Sequence, residues 1–455
     1  MEFKITGRNM RTFLKIILIA LIVNSCSKNK DENSITISGV LPNCKSKMIH
    51  FELKDSTYSS VADKTGKFSL DIPLSNPEYA FAKELNRILF LIPNDRLGIE
   101  ITNNEYLFLG GQSALINNYY TDWEVYLHAV ADTSDSQKYY NQRPSDFLKS
   151  VDEWIEIWKK PFRELQENNS DLNKDFIEFE NARLKYWMYS DLNDYKSNNE
   201  AIPDDFYQYL DKVNYNDASL MQLDEYKYFL TSLVSMKIRR LDITDKIQET
   251  SKILDIIQEY FYSESIRNEI SKELIRIQTN NISVNDTLFD RFKGICTDVL
   301  YVNDIENNYK KLKPLLKGNK APDFELIGLN GNKVGLNNFK GKYLLIDVWS
   351  TSCSPCIREF PYIEKLKRET KDKDIEIIAA CLSGDSAWKS MLAKHKLTQG
   401  QYRIDNGWNS DFRNDYLKSS GVPIYILINP QGLIIDARAP KPSEGLDKVI
   451  NSLNI

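Results

Sequence analysis

Cys353 and Cys356 stand two residues apart in the segment Trp349-Ser-Thr-Ser-Cys353-Ser-Pro-Cys356-Ile-Arg-Glu359-Phe-Pro361. Thiols at this spacing can close a disulfide and reopen it by exchange with another, each step being attack of a thiolate on a sulfur. The pair directly follows an apolar run, Tyr343 to Trp349, and a helix is expected from Cys353 to Glu369. The first thiol then sits at the N-terminal edge of that helix. Unpaired backbone N–H groups and the helix dipole favour a negative sulfur there, so its thiolate forms below the free value of roughly 8.5. Cys353 is therefore expected to attack a substrate disulfide. Cys356, one turn in and more buried, attacks Cys353 in turn and releases the reduced product. Pro355 stiffens the turn between them and leaves the Cys356 end shaped for helix.

Cys356 must lose its proton to take part, and two carboxylates are placed for that general-base work. Asp347 lies six residues before Cys353, inside the run Leu-Leu-Ile-Asp-Val-Trp. A lone acid in a buried strand is costly without a task or a partner. Glu359 lies one turn beyond Cys356, and its alternative is an ordinary exposed helix carboxylate. The larger share of the proton work is assigned to Glu359. Trp349 is expected beneath the active-site loop. Further along, Gly421-Val422-Pro423 precedes a second apolar run, Ile424 to Ile428.

These groups need a scaffold, and the last third of the chain supplies one. Tyr343 to Trp349 and Ile375 to Cys381 read as buried strands, and Ser386 to His395 as a helix. Ile424 to Ile428, the turn Asn429-Pro-Gln-Gly432 and Leu433 to Ala437 read as a hairpin, and Leu446 to Leu453 closes with a helix. Alternating strands and helices make an α/β layer fold. Ahead of it, Lys310 to Lys320 reads as a linker. No glycine occurs between Gln112 and Lys293, which a sheet domain would need for its turns, so this stretch is helical. Phe147, Val151, Trp154, Ile155 and Trp158 recur at helical spacing, as do Ile253, Ile256, Ile257 and Tyr260. Ser34 to Gly110 alternates in period two and is punctuated at Gly39, Pro42 and Gly66, as strands are. The expected architecture is multidomain: a β-sandwich of antiparallel strands over 34–111, an all-α middle over 112–310, a linker over 311–320 and an α/β domain over 321–455.

The N-terminus reads as a targeting segment. Lys4, Arg8, Arg11 and Lys15 precede an apolar run, Ile16 to Val23, that is too short to span a bilayer as a helix. Val23-Asn24-Ser25-Cys26 resembles a bacterial lipobox, which implies acylation of Cys26 after removal of residues 1–25, with 26–33 as a tether. A plain secretory signal is the alternative, and either Met1 or Met10 can be the start. Ser27 leans toward the outer membrane of a Gram-negative cell, and Lys30-Asp31-Glu32 resembles a tether signal linked to surface exposure.

At 455 residues with 42% apolar content, the chain can form two or three packed cores. A net charge of −5 and the lack of a basic aromatic groove motif argue against a nucleic-acid partner. Cys44, Cys296 and Cys381 form no disulfide framework and are read as small buried hydrophobes. The three histidines, His50, His128 and His395, lie far apart, so no metal site is expected. Ile357 follows Cys356 where a c-type haem attachment site needs histidine.

Residues 318–455 resemble the TlpA/ResA-like thiol–disulfide oxidoreductases of the thioredoxin superfamily. The features carrying the resemblance stand in family order: Ala321-Pro322-Asp323-Phe324, Gly341-Lys342, Cys353-Ser-Pro-Cys356, Glu359-Phe-Pro361 and Gly421-Val422-Pro423. Ser352 departs from the tryptophan usual before the first cysteine, which bears on substrate contact and redox tuning. The resemblance implies a thioredoxin-like fold and no cofactor beyond the Cys353–Cys356 disulfide. It matches Asp347 to the buried acid of thioredoxin and Glu359 to the active-site acid of ResA-like proteins. It also implies a cis Val422–Pro423 bond, packed on the cysteines, that keeps metal off them and presents the preceding backbone to a bound peptide. The β region resembles the domain that precedes such modules in exported Gram-negative proteins.

The expected protein is thus an exported, lipid-anchored, periplasm-facing enzyme of the cell envelope. It reduces disulfides of exported proteins, such as apocytochrome c or misoxidised proteins, with electrons from a membrane dithiol donor. Two other readings stay open. Peroxiredoxins share the scaffold and would make this a thiol peroxidase, although Ile346 stands where their loop has proline. A binding protein whose helical middle captures a ligand, with an accessory redox domain, is the other.

Overall fold

The computed structural model describes residues 33–453 apart from 42–47, 55, 103–104, 131–139, 197–200, 242 and 419. The segment read as a targeting signal, Cys26 and Cys44 lie outside the described residues. The chain forms two compact units, one built from residues up to 137 plus 152–181, the other from 138–151 plus 182 onward.

Among the described residues the first unit holds eight strands: β1 (Ser34–Val40), β2 (Met48–Glu52), β3 (Thr57–Val61), β4 (Lys67–Pro73), β5 (Glu78–Ala82), β6 (Arg87–Leu91), β7 (Arg96–Thr102) and β8 (Glu105–Gly110). They make two four-stranded sheets, ordered β4-β1-β7-β8 and β3-β2-β5-β6. Ile35, Ile37, Ile72, Leu97 and Ile99 of the first meet Ile49, Phe51, Ala80, Ala82 and Leu89 of the second in one core. The pairing departs from the antiparallel expectation at one place: β1 and β7 run parallel. Period-two alternation identifies strands and hairpins. It says nothing about the direction of neighbours joined through the other sheet. Helix α1 (Gln112–Val130) then covers two sheet edges. The Asn117 side chain both accepts from the Phe90 N–H and donates to the Phe90 carbonyl, and Asn118 does the same for Phe108. Edge strands that would invite another chain are closed this way.

Helices α2 (Pro144–Asn168) and α3 (Lys174–Asp194) contribute residues to both units. The boundary drawn after residue 111 marks where strands stop, but the compact units do not follow it. The second unit continues with α4 (Asp224–Arg239), α5 (Lys246–Tyr260), α6 (Glu264–Asn280), α7 (Asp286–Ile295) and α8 (Val299–Leu312). Each buries a stripe at helical spacing, such as Ile253, Ile256 and Ile257 or Ile266, Ile270 and Leu274. Asp245, Asn285 and Asp298 cap α5, α7 and α8 by accepting from N–H groups of the first turn.

The remaining elements build the redox fold. They are β9 (Glu325–Gly328), β10 (Lys333–Gly335), β11 (Tyr343–Trp349), α9 (Ser354–Glu369), β12 (Ile375–Cys381), α10 (Asp385–His395), β13 (Gln401–Ile404), β14 (Ile424–Ile428), β15 (Ile434–Ala439) and α11 (Leu446–Asn451). The seven strands form one sheet in the order β10-β9-β13-β12-β11-β14-β15. β11 is central, parallel to β12 and antiparallel to β14. It is buried on both faces, which is why it reads as a continuous apolar run. Leu344, Ile346 and Val348 face one core, while Leu345 and Trp349 belong to the opposite one.

The expected linker over 311–320 is a correction. Leu312 ends α8 and Leu315 follows it, and both are buried in the same core as Leu344 and Ile346. The Gly318 N–H donates to the Ile434 carbonyl, and the Ile434 N–H donates to the Asn319 carbonyl. The lysines that suggested a tether lie on the outer side of a segment whose leucines point inward. A second tie joins helix to sheet, where the Lys246 ammonium lies 2.7 Å from Asp436 Oδ2 and donates to the Arg438 carbonyl at 2.6 Å. Leu315→Ala should therefore destabilise the redox fold by about 2–5 kcal/mol, the range for emptying a fully buried leucine site. Denaturant unfolding monitored on this unit checks it. A change within 0.5 kcal/mol would restore the reading of a free linker.

Candidate active site

The end of β11 sets the site. The Leu382 N–H donates to the Trp349 carbonyl, and both the N–H and the hydroxyl of Thr351 reach Ser383 Oγ, at 2.9 and 3.0 Å. The loop carrying the cysteines is thus fastened to the end of β12. Cys353 is the N-cap of α9, with Pro355 in the first turn, and the helix runs on through Pro361. The two cysteines are joined as a disulfide. The Cys356 backbone N–H donates to Cys353 Sγ at 3.1 Å, the contact that stabilises a thiolate at this position. Cys353 is partly exposed, whereas Cys356 is 2% exposed. The two sulfurs thus differ in access.

Trp349 is fully buried, meets Phe360 edge-on at 5.1 Å and shares a cluster with Cys356, Cys381 and Trp388. The Val422–Pro423 peptide is cis. Val422 packs beside Cys353, whose Sγ lies 3.5 Å from the Val422 carbonyl oxygen. Pro423 is partly exposed beside it, so this backbone borders the accessible sulfur. Ser352 is exposed at the rim.

The two acids stand in different environments. Asp347 is 3% exposed, and its Oδ1 has no hydrogen-bond partner among the described residues. Burial pushes its carboxyl up to about 7; Lys367 opposes this, while Glu359 and Glu364 add to it. Glu359 is not the exposed helix carboxylate of the alternative reading, being 6% exposed. Both its oxygens accept from Ser443, one from the backbone N–H at 3.0 Å and one from the hydroxyl at 2.7 Å. Glu359 therefore also anchors α9 to the turn ahead of α11.

Sequence reasoning missed Ser443, Ser383 and Tyr425. The serines carry no motif and are found only through the contacts they make. Tyr425 did leave a signal, a polar atom in the apolar run Ile424 to Ile428, which is the argument that singled out Asp347. Cys296 and Cys381 are buried, as expected of small apolar residues. Burial also raises the Cys381 thiol to about 11.

A redox dithiol capping a helix beside a cis-proline defines a thiol–disulfide exchange enzyme. The Redoxin family model matches residues 316–450. The thiol–disulfide oxidoreductase ResA of Bacillus cereus is 30% identical over 150 residues, covering 32% of this chain and 83% of the relative. Thioredoxin-like protein YneN of Bacillus subtilis is 38% identical over 130 residues, or 28% of this chain and 74% of the relative. Among solved structures, a thiol–disulfide oxidoreductase from Bacteroides vulgatus is 34% identical, covering 30% of this chain and 97% of that chain, with a TM-score of 0.29. Through its redox fold, the chain belongs to the ResA-like thiol–disulfide oxidoreductases.

Proposed function

We propose that the enzyme works as a reductase of disulfides in exported proteins. The observation that carries this reading is the asymmetry of the pair: one sulfur is accessible beside the Val422 carbonyl, the other is enclosed. The Cys353 thiolate attacks a substrate disulfide, forming a bond to one substrate sulfur while the other leaves with the electron pair. Cys356 gives up its proton and attacks the Cys353 sulfur. The Cys353–Cys356 disulfide forms, the second substrate sulfur departs, and two electrons have passed to the substrate. The pair is the only redox group this requires. A membrane dithiol donor returns it to the reduced state.

The raised carboxyl and unpartnered oxygen of Asp347 favour it as acceptor of the Cys356 proton, with Glu359 in the smaller share because Ser443 holds both its oxygens. This reverses the weighting drawn from sequence. Val422 and Pro423 present backbone to an extended peptide, and Pro355 and Trp349 hold the loop in shape. Apocytochrome c and misoxidised exported proteins are the substrate classes in view. The lipobox at Cys26 supports a lipid anchor facing the periplasm, on the outer membrane rather than the inner. The sheets of the first unit, read as a sandwich, are assigned a structural or recognition role.

Substrate trapping tests the proposal. A Cys356→Ala variant, expressed in its own cell with the targeting segment intact, should accumulate mixed disulfides between Cys353 and envelope proteins, identifiable by mass spectrometry. Cytoplasmic partners, or no adducts at all, would overturn it.

A further inference from the structure

Asp347 on β11 and Tyr425 on β14 are directly opposite one another in the antiparallel register. Directly opposed residues project to the same face of a sheet with their Cβ atoms about 5 Å apart. Here that face is the one covered by α9, because Tyr425 packs with Ile363 and Leu366 of that helix. Tyr425 is 1% exposed and Asp347 is 3% exposed. Neither the Tyr425 hydroxyl nor Asp347 Oδ1 has a hydrogen-bond partner among the described residues. Two unpartnered polar atoms, side by side in an apolar layer, carry a penalty that a shared hydrogen bond or one bridging water removes. Glu359 is the next charge in line, acting on both groups, and its oxygens are held by the exposed Ser443.

We propose that Tyr425 is a positioning residue for the buried acid: its hydroxyl, through one bridging water, binds Asp347 Oδ1 and links it toward Glu359 and the surface at Ser443. The link solves a problem that proton transfer at Asp347 creates. A proton taken from Cys356 arrives at a carboxyl enclosed by protein and must leave before the next cycle. The hydroxyl can accept that proton on a lone pair while releasing its own toward Glu359, which leaves the tyrosine unchanged. Burial and the neighbouring Asp347, Glu359 and Glu444 hold the Tyr425 phenol far above its ordinary range, so it stays a neutral O–H throughout. The inference rests on the proposed role of Asp347 only for its catalytic consequence; the hydrogen bond itself can be tested apart from turnover.

The other groups facing Asp347 fix the sign of the effect. From α9 come Lys367, Glu359 and Glu364, with Lys367 held by Glu364 Oε1 at 2.9 Å and by the Gln399 carbonyl at 3.0 Å. From β12 comes Cys381, a neutral thiol. None of these changes when a single hydroxyl is removed. A donor to the ionised carboxylate favours ionisation, so Tyr425→Phe should move the Asp347 midpoint upward by about one pH unit.

Infrared titration of the buried carboxyl in the full-length protein reads that midpoint, with Asp347→Asn identifying the band. Equal midpoints in the wild type and Tyr425→Phe would overturn the inference. In the wild-type protein the ¹³Cζ resonance of Tyr425 should titrate with the same midpoint as the Asp347 band and stop doing so in Asp347→Asn. A flat resonance in the wild type would also overturn it, whether or not the phenylalanine variant folds. If only packing mattered, Phe would leave the Asp347 midpoint unmoved while Tyr425→Leu lowered the melting temperature. If Asp347→Asn leaves the pH–rate profile intact but the titrations behave as described, the general-base reading falls and the hydrogen bond stands.

Discussion

Asp347→Asn should stabilise the protein above pH 7 while slowing it as an enzyme. The folded carboxyl is raised from 3.8 to about 7, so between these values the native state holds a proton that the unfolded chain has lost. Stability therefore falls as pH rises through this window, by up to about 4 kcal/mol once the group is ionised. Asparagine removes the charge and with it that loss, less the cost of enclosing an amide. The gain should be clear at pH 8 and vanish below about pH 4, which denaturant unfolding at several pH values will show. In the same variant, resolution of the mixed disulfide should slow by about 10²–10⁴-fold, the usual cost of losing a general base, while its formation is less affected. Stopped-flow kinetics separates the two steps. Glu359→Gln should cost less, because glutamine can still bond Ser443. If glutamine proves the more damaging change, Glu359 carries the proton and Asp347 is a buried strain only.

Cys353→Ser should reduce disulfide reduction to the uncatalysed background, and Cys356→Ser should not abolish the first attack. The helix N-cap position, the N–H donated to Cys353 Sγ and the difference in exposure all assign the opening step to Cys353. Limiting iodoacetamide on the reduced wild type, well below pH 8, should label Cys353 first. Cys296 and Cys381 should stay unlabelled, since both are buried and burial raises both thiols. In Cys356→Ser, one substrate sulfur should be released per enzyme and the reaction then stall as a mixed disulfide. Preferential labelling of Cys356, or full turnover without it, would reverse the assignment.

The chemistry of this chain was legible because its determinants are local. A dithiol spaced for one helical turn, the strand before it and the proline ahead of β14 each lie within a few residues of their own signal. Asp347 was legible for the same reason, as a charge in an apolar run. What escaped was set by register and packing. Ser443 reaches Glu359 from a turn near the other end of the fold, and only a folded sheet brings Tyr425 opposite Asp347. The parallel pairing of β1 and β7 depends on how the chain passes between two sheets. Leu312 and Leu315 sit among lysines, and composition outweighed the two apolar positions that decide where the segment lies.

One of the two outer strands of the redox sheet, β15, is held at both ends. Gly318 and Asn319 bond Ile434 at its start, and the Lys246 ammonium takes the Arg438 carbonyl near its far end. An enzyme that bound extended peptides through backbone at Val422, as proposed above, would run a standing risk of being joined at any free strand border. With the start and far end of this border held by its own chain, β15 is a poorer place for a client to align than the backbone beside the reactive sulfur. A substitution such as Lys246→Ala would then matter less for catalysis than for solubility while clients are bound.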